Sequence, residues 1–191
     1  MKNISLASPI PFLCCLCVGL LFDTAGIFRM TLLCAAVHEL GHLAAYTACF
    51  HRLPQLRISV DGIAMKMPVC IAQKAENAVL LSGPAANFVL CGALLAVCMH
   101  KASYGLYMLA GVSGCVGIFN LLPIGVLDGN RLLHNFVGVH RQHAGLLRAV
   151  PVLCLALVCG LLWWQGQLRL YTVSFLLYVL WKTCAENCFL K

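Results

Sequence analysis

Residues 30–50 read MTLLCAAVHELGHLAAYTACF, a run whose only histidines and charged residues, His38, Glu39 and His42, stand together near its centre. A helix rising about 1.5 Å per residue crosses a hydrocarbon core of about 30 Å in a run of this length. An acidic or basic side chain at the middle of such a helix costs about 2.5–3.5 kcal/mol on insertion scales, so a cluster there points to function. The flanking sequence repeats the apolar pattern. Asn3–Phe22, Asn77–Met99, Ala102–Leu127 and Ala149–Leu168 are uncharged runs of 20, 23, 26 and 20 residues, and Leu170–Trp181 continues past Lys182 toward Leu190. The expected fold is therefore an all-α polytopic membrane protein with about six transmembrane helices.

Composition agrees with that class. Of 191 residues, 62% are hydrophobic and 10% charged, and mean hydropathy is +0.92. Ordinary soluble domains are about 45–50% apolar and about 25% charged. A soluble enzyme, a disordered tail and a nucleic-acid binder are excluded. The net charge of +7 follows topology. With the N-terminus in the cytoplasm, six spans put ten Lys and Arg residues on that side and only Arg29, Lys101 and Arg169 on the other. That bias predicts a multi-pass protein with both termini cytoplasmic. Ten of the 13 cysteines lie within apolar runs, where they serve as small hydrophobes.

Two stretches depart from regular helix. Leu56–Val60 and Ile63–Met67 alternate apolar and polar residues around Asp61-Gly62, which predicts a short β-hairpin between helices 2 and 3. An open strand edge cannot face lipid, so the hairpin belongs at the interface or against the bundle. The fourth span contains Asn120-Leu121-Leu122-Pro123-Ile124-Gly125-Val126-Leu127-Asp128-Gly129. Pro123 interrupts a helix there, and a broken helix at membrane depth lines a cavity or a site.

His38 and His42 stand four apart, on one helix face. Two imidazoles so placed can share one metal ion, and Glu39, a step around the helix, can reach a water on that ion. This is the H-E-x-x-H arrangement of zinc hydrolases. The longer pattern with a third histidine ligand is excluded, because Ala45 and Ala48 occupy its glycine and histidine positions. The remaining acids are Asp23, Asp61, Glu76, Asp128 and Glu186. Asp61 has a turn role and Glu76 opens a helix. Asp128, at the end of the broken span, is the expected third ligand of one Zn2+ per chain.

On these residues the sequence resembles the site-2 protease family of intramembrane zinc metalloproteases, peptidase family M50. The matching motifs are H-E-x-x-H at His38–His42, S-G-P-x-x-N-F at Ser82–Phe88 and N-x-x-P-x-x-x-L-D-G at Asn120–Gly129, in the family's order. The short chain with added C-terminal spans is most similar to the bacterial sporulation subgroup, which cleaves a membrane-tethered pro-sigma factor. That subgroup often carries a C-terminal CBS domain, which these residues do not include. Val126 and Asn130 depart from the Pro and second Gly that many relatives have around Leu-Asp-Gly. The resemblance implies a single domain over 1–191, with a catalytic core at about 30–135 and C-terminal helices at about 149–190. It implies zinc held by His38, His42 and Asp128, with Glu39 as the base. It also implies a substrate-binding or oxyanion role for Asn120 and a supporting role for Asn87, where helix-packing amides are the alternative. The implied partners are a membrane-tethered protein substrate, the lipid bilayer of a bacterial cell membrane and regulatory membrane proteins, with no nucleic acid. Two other readings stay open: a membrane metal transporter, and an inactive protease relative that binds membrane proteins.

Overall fold

The computed structural model describes residues 4–6, 9–59, 62–66, 72–124, 127–137 and 153. The fifth and sixth expected spans, Asp61 and Glu186 lie outside these residues. The chain divides into two compact units, 1–118 and 119–191.

In the first unit the expected opening span, Asn3–Phe22, is replaced by two elements. Ile4–Leu6 forms strand β1 and Pro9–Leu21 forms helix α1. Pro9 and Pro11 explain the division, because proline is tolerated in a first helical turn but not in a helix interior. The 13 residues of α1 reach only about 20 Å at the helical rise.

Strand β1 pairs in parallel with β2 (Gln55–Ser59), Ile4 opposite Leu56 and Leu6 opposite Ile58. Strand β2 pairs antiparallel with β3 (Gly62–Lys66). The sheet thus has three strands in the order β1-β2-β3, one more than the sequence suggested. Its register also differs by a step from a tip at Asp61-Gly62, since Ser59 pairs with Gly62 and Gln55 with Lys66. The expected tip would have set Arg57 opposite Lys66. Like charges directly opposite destabilise a strand pair, and the observed register sets Arg57 opposite Ala64.

Helix α2 (Ile27–Phe50) starts after Gly26, whose φ of 73° lets the chain turn into the helix. The Asp23 carboxylate closes that turn. It accepts the Phe28 and Arg29 N–H groups, both at 3.0 Å, and pairs with Arg29 Nε at 3.1 Å. Burial pushes the Asp23 carboxyl up, but the N–H donors of Arg29 and Phe28, with the Arg29 guanidinium, outweigh it and hold it below the usual range.

Helix α3 (Gln73–His100) has 28 residues and, among the described residues, alone is both long and apolar enough to cross a membrane. Its outward residues include Leu81, Phe88, Val89, Leu95 and Met99, a surface suited to lipid. Helix α4 (Tyr104–Asn120) is apolar but shorter, at 17 residues. The described cysteines carry free thiols, among them Cys14 and Cys17, which stand exposed at C-x-x-C spacing on α1.

In the second unit the expected span Ala102–Leu127 breaks as Pro123 requires. Helix α4 ends at Asn120, three residues before the proline, and α5 (Asp128–Val137) begins after a turn. Leu122 N–H donates to Phe119 O at 3.1 Å and Ile124 N–H to Leu122 O at 2.8 Å, so these two backbone donors are paired where the helix ends. A Cβ on Gly129 would overlap the Leu121 carbonyl and lie 2.7 Å from Leu122 O. Only glycine lets the start of α5 pack so closely on this turn.

Candidate metal centre

The inward face of α2 carries Cys34, His38, His42 and Tyr46, each four residues from the next and all buried. It packs against α3, which contributes Val79, Leu80, Gly83, Pro84 and Asn87 to the buried interface. The helices run antiparallel, since His42 meets Val79, Gly41 meets Ser82 and His38 meets Asn87. Two glycines permit the close approach. A Cβ on Gly41 would stand 2.6 Å from Ser82 O and 2.8 Å from Ala86 Cβ. A Cβ on Gly83 would stand 2.5 Å from His42 Cε1 and 2.8 Å from His38 Cε1. Gly83 therefore leaves the space in which both rings lie.

Each ring is held at its Nδ1. His42 Nδ1 lies 2.7 Å from the Val79 carbonyl oxygen. A carbonyl only accepts, so this nitrogen carries the proton and a neutral His42 presents a lone pair at Nε2. His38 Nδ1 lies 3.2 Å from Asn87 Nδ2. The two Nε2 atoms face one another at 3.1 Å, with the rings perpendicular and their centroids 4.6 Å apart. Two nitrogens bound to one tetrahedral ion at about 2.0–2.1 Å would stand about 3.3 Å apart. The donor set, its spacing and its fixed rings fit a zinc ion. Both histidines are under one-tenth exposed, and Glu39 is half-buried on the adjoining face.

Asn87 is wholly buried. Its backbone carbonyl accepts Ser113 Oγ–H from α4 at 2.9 Å, which ties α4 to the histidine wall. The sequence reading gave no part to Gly83, Ser113 or the Val79 carbonyl. Only the Ser82-Gly83-Pro84 stretch hinted at one, and a backbone acceptor leaves no trace in side-chain identity.

Of the other acids, Asp23 is engaged at the start of α2 and Glu76 lies in the first turn of α3. In the second unit, Asp128 is the half-buried first residue of α5 and Asn120 the last residue of α4.

A sequence model of the family described as Peptidase family M50 matches residues 98–162. That stretch is about a third of the chain, contains Asn120 and Asp128, and lies downstream of His38–His42. No curated protein sequence matches the chain significantly. Among solved structures, the chain is similar to the site-2 protease from Methanocaldococcus jannaschii. The TM-score is 0.68 and the identity 19%, over 98% of this chain and 92% of that one. An identity so low speaks to fold alone, and the chain has the fold of that site-2 protease.

Proposed function

We propose that the protein is an intramembrane zinc metalloprotease that hydrolyses a peptide bond within or near the transmembrane segment of a membrane-tethered protein. The observation that carries this reading is the pair of buried imidazoles whose Nε2 atoms converge to 3.1 Å while their other nitrogens are held by α3. The site-2 protease fold and the M50 match support it. His38 and His42 supply two ligands. The Asp128 carboxylate, within the M50-matched stretch, is the proposed third.

When bound, zinc polarises the scissile carbonyl and lowers the pKa of water toward ~7. Glu39 takes the proton of the attacking water and returns it to the leaving amine. Asn120 donates a hydrogen bond to the oxyanion that develops on the scissile carbonyl. A substrate helix hides its carbonyls in hydrogen bonds, so it has to unwind and present an extended strand. Strand addition to a sheet edge suits that need. Because β1 already pairs with β2, the hairpin's own outer edge among the described residues is that of β3. The resemblance of the sequence to the sporulation subgroup makes a membrane-tethered pro-sigma factor the proposed substrate, and a bacterial cell membrane the proposed location.

Co-expression with a single-span reporter substrate tests the proposal. Cleavage is expected to vanish in Glu39→Gln while zinc content stays at the wild-type level. Equal processing by both forms refutes it. Metal uptake into proteoliposomes that is indifferent to Glu39→Gln would instead favour a transporter.

A further inference from the structure

The Val79 carbonyl carries more than a carbonyl inside a helix ordinarily does. Its oxygen meets the His42 ring of α2 at 2.7 Å and accepts the Ser82 hydroxyl of its own helix at 2.6 Å. A carbonyl oxygen has two lone pairs. In a regular ladder it also accepts the N–H four residues on, here that of Gly83. With two side chains on the same oxygen, that N–H has to share its acceptor.

One residue further along, the ladder is opened by other means. Pro84 lies inside α3 and is buried. It has no N–H to give to Leu80, four residues before it, and its ring presses against that carbonyl. Two consecutive carbonyls, those of Val79 and Leu80, therefore depart from regular pairing at the level of the histidines. A helix bends where a proline or an inserted side chain interrupts its ladder. The departure has a use. The peptide dipoles of a straight helix lie along its axis, so its carbonyls aim at the next turn, whereas His42 stands on a neighbouring helix. A serine in an apolar helix commonly bonds its hydroxyl to the preceding turn, as Thr31 and Thr47 do on α2. Ser82 differs in its acceptor, which is the carbonyl that holds His42.

We propose that Ser82 is a positioning residue: its hydroxyl draws the Val79 carbonyl out of the α3 ladder to where it meets His42, and so sets the orientation of one side chain of the metal centre. The inference rests on the zinc reading above. Ser82 acts through the carbonyl and not on the reacting atoms.

The test uses the full chain purified in detergent. Zinc affinity is read by chelator competition, stability by thermal unfolding, and the ladder by hydrogen exchange of the Gly83 amide in zinc-free protein. Ser82→Ala and the near-isosteric Ser82→Cys, whose S–H is a weak donor, are expected to bind zinc about 3–10-fold more weakly, the reach of one neutral hydrogen bond. Both are expected to protect the Gly83 amide better than the wild type does, because the carbonyl returns to it. Ser82→Thr keeps a hydroxyl and is expected to keep both wild-type values. A serine with a merely structural role would move the unfolding temperature and leave zinc affinity and Gly83 exchange where they are. Ser82→Cys carries the question if the alanine variant does not fold. Wild-type zinc affinity in Ser82→Ala and Ser82→Cys overturns the positioning role while leaving the zinc site standing. Weakened zinc binding with unchanged Gly83 exchange overturns the action through the ladder. Wild-type zinc content no greater than that of His38→Ala overturns the zinc reading itself, and this inference with it.

Discussion

Gly83→Ala is expected to abolish the metal site while leaving the chain folded. The added Cβ would stand 2.5 Å from His42 Cε1, 2.8 Å from His38 Cε1 and closer still to His42 Nε2. Carbon atoms pack at about 3.5–4.0 Å, so one ring has to retreat by about 1 Å and the other by about 0.7 Å. Neither retreat is free. His42 is held at 2.7 Å by Val79 O and His38 at 3.2 Å by Asn87, both on the helix that carries the new methyl group. Metal-ligand distances hold to about ±0.2 Å, several times less than the displacement. Zinc affinity should fall by at least the about 10–100-fold that follows loss of an outer-shell contact, and overpacking should cost about 1–3 kcal/mol of stability. Gly92→Ala is the control. Nothing lies within 4 Å of its Cβ position, and exchanging glycine for alanine inside a helix gains about 0.5–1 kcal/mol. Chelator competition and thermal unfolding in one detergent read both quantities. If Gly83→Ala binds zinc as the wild type does, Gly83 does not make the room for the rings.

Gly129→Ala places a methyl group on the Leu121 carbonyl, and backbone cannot swing aside as a side chain can. It should lower the unfolding temperature and, through displacement of Asp128 one residue away, lower zinc content as well; a variant with both quantities unchanged would refute the close packing. Asp23 predicts an acid-dependent step. Its carboxyl is held below its ordinary value in the fold, so its contribution is fully present above the unfolded value of about 3.9 and is lost as pH falls through the folded value. In thermal unfolding from pH 7 to pH 3, Asp23→Asn should be the less stable form at neutral pH, and the gap should close in acid. A gap that is constant across the range would show that the carboxylate charge has no part in starting α2.

What the sequence disclosed, and what it withheld, divides by the range of the interactions involved. His38 and His42 were legible because the helical repeat alone puts residues four apart on one face. The break before Asp128 was legible because Pro123 acts on its own backbone. Strand β1 was not, since Ile4–Leu6 takes its conformation from partners at Leu56–Ile58, about fifty residues on. An isolated three-residue alternation at the head of an apolar run carries no such signal. The hairpin's alternation was visible, but its register is settled only when the two strands meet. Gly83 and Asn87 stand four apart and so share a face of α3, yet what that face meets depends on how deeply α2 settles against it.

The two rings are held by different kinds of partner, and this leads to a last prediction. His42 is fixed by the Val79 backbone carbonyl, which no side-chain substitution removes. His38 is fixed by the Asn87 side chain, which a substitution does remove. Val79 is nonetheless part of the core, at 1% exposure. Val79→Ala deletes two buried methyl groups and should cost about 1–3 kcal/mol of stability by leaving a cavity. Zinc affinity should remain near wild type, because the carbonyl that holds His42 stays where the helix puts it. Asn87→Leu should do the reverse, leaving no cavity while zinc affinity falls about 10–100-fold. The two variants therefore separate stability from affinity in opposite directions, as read by unfolding temperature and chelator competition on the same preparations. If Val79→Ala loses zinc in proportion to its stability, the histidine pair is held by general packing of α2 on α3, and the hydrogen bonds at Nδ1 do not set its geometry.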